Sequence, residues 1–445
     1  MAPRVILIVI DTLRADRLGC YEYERPTSPT LDELAGESVL FETVMAQSAF
    51  TLISHKSMFT SRYPLQLAQE TTNANLQTLA ALKDPEDFLV STFRNLKTPL
   101  LTDGLRQHGY VTTAFTDGGW MSRDMGFDPY FDTYNDEAGH LAAILPRAYR
   151  WMYANRDRPF FSFIHTYDTH APYVSREPYD SMFCHDHSQH ISLEGRCAQV
   201  DCGAPPLMKI ELTPTDVQAV SDHYDGSIAC ADAYLKECFN VLRGMELYDE
   251  TLLIVTSDHG EALGEHEQIG HGGLYLEHLL VPLIIKFPAS WNVPAARISN
   301  PVELVDVMAT VYDACGLELP VGAAGRSLLP LIRGGRWARR HLVAQTSHME
   351  GRGAKTSAAR RAVLEPGRWL LIHDAQTDTQ ELFDLIADPL GLTNVAGRVP
   401  PPAELFRALL TRDVTEVDEE FAVPEGSEMT EEQLRRLRSL GYVGD

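Results

Sequence analysis

Three short apolar runs along the chain predict strands that are buried on both faces. VILIVI occupies residues 5–10, FFSFI residues 160–164 and TLLIVT residues 251–256. All three are rich in β-branched or aromatic residues, which is typical of central strands in a parallel sheet. VPLIIKFP at 281–288 predicts a further strand.

Helical patterns separate these runs. SPTLDELAGESVLF predicts a helix that begins at Ser28 or Thr30 and ends near Gly36, and residues 221–245 form a long amphipathic pattern. PLLTDGLRQHGYVTTAFTD indicates a helix, a glycine turn and a strand. The repeated order of strand, loop and helix predicts an α/β fold with a mostly parallel sheet sandwiched by helices.

Polar side chains follow the apolar runs at the points where the strands are expected to end. They are Asp11 after the first run, Asp168 and His170 after the second, and Asp258 and His259 after the third. Ligands of parallel sheets bind at the carboxyl ends of the strands. Carboxylate and imidazole groups at Asp11, Asp258 and His259 predict a divalent metal site. The imidazole favours zinc or manganese, and calcium or magnesium is left open.

The segment SAFTLISHKSMFTSRYP at 48–64 places a threonine, a serine and a histidine within five positions. Thr51 suits a helix cap, and it also suits a nucleophile that is itself a metal ligand, as a metal-bound alkoxide, because a cation lowers the pKa of a bound oxygen. His55, four residues later, returns to the same helix face, where it could contact the substrate or steady Thr51. Ser54 is the weaker alternative nucleophile.

Two further segments carry candidate substrate contacts. His165, Asp168 and His170 flank one loop in HTYDTHAPY, and each suits either a structural contact or the binding of an anionic substrate. A histidine there could also protonate a leaving group. His271 stands between two glycines in GHGG, where the backbone can approach a ligand closely.

The pattern of apolar and polar residues changes near residue 336. Short alternating segments such as RRAVLEP and RWLLIHD predict a small antiparallel sheet, and SEMTEEQLRRLRSLGYVG predicts a helix from Thr430 to Gly441. We therefore expect a catalytic domain at 1–335 and a C-terminal α+β subdomain at 336–445. Residues 66–98 and 176–215 lack a clear pattern and predict loop-rich insertions.

The composition limits the classes of molecule that the chain could bind. The formal net charge of −24 argues against nucleic acid and anionic membranes, and no run is long enough for a membrane span. A small anionic ester remains compatible, because a bound cation reverses the local charge. The chain as written is expected to be cytoplasmic, or periplasmic or extracellular if a leader had been removed; a homo-oligomer is left open.

The seven cysteines cannot all pair within the chain, because their number is odd. Cys184, Cys197 and Cys202 lie together in FCHDHSQHISLEGRCAQVDCG. A loop disulfide, a structural zinc site and an ordinary polar loop are all compatible with this segment, and the spacing fits no standard zinc pattern.

The motifs together resemble the sulfatase family of the alkaline phosphatase superfamily. The resemblance runs nearly end to end and includes VIDTLRADRLGCY, FTLISHKSMFTSRYP, HTYDTHAPY, TLLIVTSDHGEALGEH and LRSLGYVG. It implies an alkaline-phosphatase-like fold and a metal-dependent hydrolase of small anionic esters. It also implies roles for individual residues: metal ligands at Asp11, Asp258 and His259, a nucleophile at Thr51, and substrate contacts at His170 and His271.

The chain departs from the family pattern at the nucleophile. Sulfatases proper carry Cys or Ser in a Cys/Ser-X-Pro-X-Arg signature, and that residue is oxidised to formylglycine. Here the signature reads TLISH, and threonine cannot become formylglycine. Thr12 replaces the second aspartate of the usual pair, and TDGGWMSRD stands where many arylsulfatases carry a Gly-Lys-Trp-His segment.

These departures favour phosphorus over sulfur chemistry. A sulfated threonine lacks the route by which formylglycine sulfate collapses to an aldehyde, whereas a phosphorylated threonine can be attacked by water or by an acceptor alcohol. We therefore expect a hydrolase of phosphate or phosphonate esters. The alternatives are a sulfatase without formylglycine, a phosphoryl-group transferase, and a non-catalytic anion-binding member of the family.

Overall fold

The fold is described from a computed structural model of the chain. The structure describes residues 2–67, 96–173, 175–184, 208–209, 213–335, 341–346, 360–374 and 377–411. The C-terminal helix expected from Thr430 lies outside these residues. Most of the two expected insertions, together with Cys197 and Cys202, lies outside them as well.

An eight-stranded sheet forms the centre of the molecule, in the order β12-β2-β11-β8-β1-β6-β4-β5. Its strands are β1 (Arg4–Ile10), β2 (Val39–Phe41), β4 (Val111–Phe115), β5 (Thr133–Asn135), β6 (Phe160–Thr166), β8 (Thr251–Thr256), β11 (Leu283–Lys286) and β12 (Ala296–Ile298). β1 pairs in parallel with β6 on one side and β8 on the other, and β11 runs antiparallel to β8 and β2. The predicted parallel core is confirmed.

Helices cover both faces of this sheet, as the α/β pattern predicts. They are α1 (Pro29–Gly36), α2 (Thr51–Thr60), α3 (Leu101–Gln107), α4 (His140–Asn155), α5 (Pro214–Gly244), α6 (Leu276–Leu279), α7 (Asp306–Cys315), α8 (Leu329–Ile332) and α9 (Ala403–Thr411). Alternate side chains of β1 enter different cores, because successive strand residues point to opposite faces. Leu7 joins the core that contains α2, α3 and α7, and Ile8 joins the core that contains α1, α4 and α5.

Helix α1 begins where the sequence predicts, but a distant residue caps it. Ser28 makes no capping hydrogen bond with its side chain. Instead, the Asp232 carboxylate of α5 accepts hydrogen bonds from the backbone N–H groups of Thr30, at 2.9 Å, and Leu31, at 2.9 Å. Burial raises the pKa of Asp232 to about 6. The cap therefore ties α1 to α5.

Smaller sheets surround the central one. β7 (Met208–Lys209), β9 (Ala262–Leu263) and β10 (Gln268–Gly270) form a three-stranded sheet, and β3 (Val44–Met45) pairs with β13 (Val302–Glu303). A four-stranded antiparallel sheet follows from β14 (Leu342–Thr346), β15 (Arg360–Glu365), β16 (Trp369–Asp374) and β17 (Thr379–Asp384). The predicted C-terminal antiparallel sheet is therefore confirmed.

This C-terminal sheet packs directly on the main body. The backbone N–H of Gln345 donates to the Gln47 carbonyl at 2.8 Å, and one hydrophobic core joins Ala344 to Ala49 and Leu279. Gln47 lies four residues before Thr51. The sheet therefore supports the segment that leads into α2. Among the residues described, no helix is both long enough and apolar enough to cross a membrane.

Candidate active site

The candidate site lies at the carboxyl ends of the three central strands. The Asp11 N–H donates to the Thr166 carbonyl at 2.9 Å, which extends the pairing of β1 and β6 by one residue. Asp258 and His259 follow β8 on the other side of β1. Because all three strands run in parallel, their ends meet at one edge and bring together residues that are 247 positions apart in the chain.

Asp11, Asp258 and His259 form a compact group that could hold a cation. Their ligand atoms all lie within 4.8 Å of one another, and all three side chains are fully buried. Within the described residues, Asp11 Oδ1 and Asp258 Oδ2 have no hydrogen-bond partner. Burial raises the pKa of Asp11 to about 6, and burial together with the Asp11 charge raises the pKa of Asp258 to about 7.

Two buried carboxylates with open oxygens require a positive charge between them. A bound divalent cation would satisfy both oxygens and remove the cost of burying two like charges. Two aspartates and an imidazole form a donor set suited to zinc or manganese. The residues present therefore fit the metal that the sequence predicts, while its identity stays a prediction.

Thr51 shares this site. It is the first residue of α2, and Phe50 before it is extended. Thr51 Oγ1 donates to Asp11 Oδ2 at 3.1 Å and lies 3.3 Å from His259 Nε2. The hydroxyl is therefore directed at two of the three candidate ligands rather than at the N-terminal N–H groups of its own helix.

The backbone fixes the orientation of His259. Its Nδ1–H donates to the Gly260 carbonyl at 3.0 Å, so Nε2 presents its lone pair to the site. Burial and the charge of His271 lower the pKa of His259 well below its ordinary value. A Cβ on Gly260 would lie 2.1 Å from the Glu277 carbonyl oxygen, so the turn after His259 requires glycine.

Thr12 does not replace the missing second aspartate as a ligand. Its Oγ1 donates to the Thr169 carbonyl at 2.8 Å, which ties β1 to the loop that carries His170. Its backbone N–H donates to Asp258 Oδ1 at 3.3 Å. Thr12 therefore holds the loop and one aspartate in place.

His170 and His271 lie side by side next to this group. Their ring centres are 5.0 Å apart, and the His271 ring lies 4.7 Å from that of His259. Both are partly exposed. The structure thus brings the two predicted substrate histidines together at the open side of the cation group, and their role in substrate binding stays a prediction.

Glu261 is a functional candidate that the sequence analysis missed. Its carboxylate lies 3.2 Å from His271 Nδ1 and accepts a hydrogen bond from the Tyr173 hydroxyl at 3.1 Å. Burial opposes the charged form of His271, but the Glu261 charge raises the pKa of His271 above its ordinary value. The feature of the sequence that could have identified Glu261 is its position in SDHGE, two residues after His259.

The remaining predicted site residues lie in the interior. Asp168 Oδ2 accepts from the Leu141 N–H at 2.8 Å and from the Thr166 hydroxyl, so this carboxylate caps α4. His55 is fully buried, with Nδ1 2.7 Å from the Thr51 carbonyl oxygen. This contact favours the steadying of Thr51, and substrate contact by Asp168 or His55 stays a prediction.

Cation binding is expected to strengthen with pH. In the metal-free chain, protons compete with a cation for Asp11, whose pKa is about 6, and for Asp258, whose pKa is about 7. The rise in Tm produced by Mn²⁺ or Zn²⁺ should therefore grow from pH 5 to pH 8. Differential scanning calorimetry with and without metal measures it. A rise in Tm that does not change with pH would contradict the assignment of these carboxylates.

The mostly parallel central sheet, covered by helices on both faces and followed by a small antiparallel sheet, is an alkaline-phosphatase-like α/β fold. The phosphonate monoester hydrolase of Agrobacterium radiobacter shares this fold, with a TM-score of 0.73 and 21% sequence identity over 93% of this chain and 96% of that chain. A sulfatase family model matches residues 3–317, and one for the C-terminal region of N-sulphoglucosamine sulphohydrolase matches residues 264–418. The chain belongs to the sulfatase family, a family of ester hydrolases.

Curated relatives match parts of the chain. The multifunctional alkaline phosphatase superfamily protein PehA of Trinickia caryophylli is 30% identical over 59% of this chain and 56% of its own length. Arylsulfatase K of Canis lupus familiaris is 32% identical over 43% of this chain and 36% of its own length. The matched region thus spans about half or less of each relative.

Proposed function

We propose that the chain is a metal-dependent hydrolase of phosphate or phosphonate esters, mono- or diesters, with Thr51 as its nucleophile. The observation that carries this proposal is the position of Thr51 Oγ1, 3.1 Å from Asp11 Oδ2 and 3.3 Å from His259 Nε2. A hydroxyl among candidate metal ligands at the start of a helix suits covalent catalysis. The names of the phosphonate monoester hydrolase and of PehA agree with this assignment.

Each residue of the site has its own role in the proposed reaction. When bound, the cation would lower the pKa of the Thr51 hydroxyl and stabilise charge on the ester's nonbridging oxygens. Thr51 Oγ1 gives up its proton to solvent and attacks phosphorus, the bond to the leaving oxygen breaks, and that oxygen takes up a proton from His170 or His271. A water molecule then attacks phosphorus and gives one proton to the same histidine, the bond between phosphorus and Oγ1 breaks, and Oγ1 takes up a proton from solvent as the product leaves. Asp11, Asp258 and His259 would hold the cation throughout.

We assign His170 and His271, the two partly exposed histidines, to the binding of the transferred group. His271, held by Glu261, offers its Nε2 to an anionic oxygen, and its raised pKa favours the protonated donor. His170 faces the same space, with its ring 5.0 Å from that of His271. Either one can supply the proton of the leaving group, because each lies on the open side of the site.

A metal is needed for this chemistry on energetic grounds. Hydrolysis of phosphate esters can require accelerations of up to about 10²¹-fold, whereas general acid–base catalysis supplies only about 10²–10⁴. A threonine and its histidines would fall far short without a cation. We propose zinc or manganese, because one of the three ligands is an imidazole.

The second candidate is a sulfuric ester hydrolase that acts without formylglycine. The name of one relative, arylsulfatase K, favours it. Threonine disfavours it, because a sulfated threonine has no intramolecular route for release. Transfer of a phosphoryl group to an acceptor alcohol follows the same first step as hydrolysis, and a non-catalytic anion-binding role would leave the position of Thr51 unused.

A comparison of substrates tests the proposal. The purified chain, loaded with Zn²⁺ or Mn²⁺, is assayed side by side with nitrophenyl esters of sulfate, phosphate, a phosphodiester and a phenylphosphonate. We expect kcat/KM for at least one phosphorus ester to exceed that for the sulfate by about tenfold or more, which is about 1.4 kcal/mol of transition-state preference. Turnover of the sulfate alone would establish the second candidate, and no turnover with either metal would establish a binding role.

Other assignments also stay proposals. We propose the division into a catalytic domain at 1–335 and a C-terminal subdomain at 336–445, although the two share a core around Ala49 and Ala344. A homo-oligomer stays a prediction.

A further inference from the structure

His165 contacts the candidate cation site from within the protein. It belongs to β6, it is fully buried, and its Nε2 lies 3.3 Å from Asp11 Oδ2. A carboxylate only accepts hydrogen bonds, so the proton of a neutral imidazole is on Nε2 in this contact. Nδ1 has no partner among the described residues, which agrees with a ring that carries one proton.

His55 lies near the other aspartate, Asp258, but beyond hydrogen-bond distance. Its Nδ1 lies 2.7 Å from the Thr51 carbonyl oxygen and 3.6 Å from Asp258 Oδ2. A carbonyl only accepts, so Nδ1 carries the proton here, and the same N–H faces Asp258. Nε2 has no partner among the described residues.

The two imidazoles also support each other. Their ring centres lie 4.9 Å apart in an edge-to-face arrangement, and His55 makes a second edge contact with Phe163. The pair therefore provides two N–H groups, one that donates to Asp11 and one that donates to the Thr51 carbonyl and faces Asp258.

We infer that His55 and His165 are a positioning pair that orients Asp258 and Asp11 for a divalent cation and also holds the first turn of the nucleophile's helix. The inference rests on the proposed function only in so far as both need the cation. Hydrogen bonds to ligating groups, such as that from His165 to Asp11, fix their orientation, and loss of such a partner typically costs 10- to 100-fold in metal affinity. His55 acts through its hydrogen bond to the Thr51 carbonyl and through the N–H that faces Asp258 at 3.6 Å.

A second cation is the competing explanation. The ligand atoms of His55, His165 and Asp258 also lie within 4.8 Å of one another, so distance alone permits a site that shares Asp258 with the first. The hydrogen bonds favour the positioning role. Nδ1 of His55 donates to the Thr51 carbonyl and Nε2 of His165 donates to Asp11, and metal ligation through these nitrogens would break both hydrogen bonds.

Metal titration of the full-length protein separates the two explanations. Leucine removes the N–H groups in His55→Leu and His165→Leu. Asparagine in His55→Asn restores a donor near the Nδ1 position, and glutamine in His165→Gln restores one near the Nε2 position. Each metal-stripped variant is titrated with Mn²⁺ by calorimetry, and elemental analysis counts the ions that each chain retains. Circular dichroism and Tm identify variants that do not fold.

We expect one ion per wild-type chain. Each leucine variant should bind Mn²⁺ about 10- to 100-fold more weakly, and the amide variants should lose less than about tenfold in Mn²⁺ affinity.

Two ions per wild-type chain, falling to one in leucine and amide variants alike, would overturn the inference in favour of ligation. Leucine variants that bind as tightly as the wild type would also overturn it. If a leucine variant does not fold, the amide variants and the ion count decide. A wild-type chain that binds no cation would contradict the proposed function. Normal turnover with equal cation affinity in all variants would contradict only the positioning role of His55 and His165.

Discussion

Replacement of Thr51 by alanine is expected to lower kcat for a phosphorus ester by roughly 10⁴- to 10⁶-fold, the range of losses when a single member of a hydrolase's catalytic unit is removed. The reason is the loss of the only hydroxyl directed at Asp11 and His259 in the described part of the site. Metal affinity should change little, because Asp11, Asp258 and His259 remain. Steady-state kinetics with Mn²⁺ or Zn²⁺ and calorimetric titration give the two quantities separately.

Two further variants sharpen this test. Thr51→Ser keeps a hydroxyl at the same position and should retain most of the activity. Ser54→Ala removes the alternative nucleophile, whose Oγ donates to the Asp258 carbonyl at 2.6 Å, and should leave kcat within about tenfold of the wild type. Equal turnover by Thr51→Ala and the wild type would show that water or another group attacks the ester.

The second large effect is expected at Asp258. Asp258→Asn should reduce cation affinity at least about 100-fold, because it removes a charged ligand. In the absence of metal, however, it should raise the free energy of unfolding by roughly 1–3 kcal/mol at pH 8. The asparagine oxygen can still accept from the N–H groups of Thr12 and His259, and the repulsion from Asp11 disappears.

The direction of this effect follows from the pKa of Asp258. Burial and the Asp11 charge raise it from 3.8 to about 7, so the contribution of Asp258 to the stability of the metal-free fold is greatest below pH 3.8 and is lost as the pH rises through 7. The gain from Asp258→Asn should therefore be largest at pH 8 and vanish near pH 4. Urea unfolding of the metal-stripped proteins at both pH values measures it.

Asp232 provides a matched control. It is also buried and its pKa is also raised, to about 6, but its oxygens accept the N–H groups that begin α1. Asp232→Asn keeps an oxygen that can accept these N–H groups and also removes a buried charge, so at pH 8 it should gain stability as well, but less than Asp258→Asn because its pKa is raised less, and it should leave cation affinity unchanged. A gain in Asp232→Asn that equals or exceeds the gain in Asp258→Asn would mean that buried charge in general, and not the pairing of Asp258 with Asp11, governs the result.

The fold and the centre of the site could be predicted because they rest on local pattern. VILIVI and TLLIVT have the length and composition of buried strands, and parallel neighbours bring their carboxyl ends together. That geometry alone placed Asp11 beside Asp258 and His259. Thr51 followed from the family pattern, because nothing in TLISH distinguishes a nucleophile from an ordinary helix start.

The supporting residues could not be predicted, because their partners come from distant segments. Asp168 lies in a loop rich in candidate ligands, but it caps α4, whose start at His140 has no sequence relation to that loop. His165 follows a strand pattern and was a candidate for substrate binding, yet its ring points back to Asp11. The orientation of a side chain at a strand end depends on its tertiary neighbours, and no periodicity encodes it.

β1 lies between two strands that the ribosome synthesises much later than β1 itself, and this order affects folding during biosynthesis. Its neighbours, β6 and β8, begin at Phe160 and Thr251, so a ribosome needs on the order of tens of seconds to deliver both after β1. During that interval a strand that is apolar at six of its seven positions lacks both of its neighbouring strands. Nascent chains of this protein should therefore depend on chaperones that shield β-strand segments, and ion capture can only follow once residue 259 has left the exit tunnel.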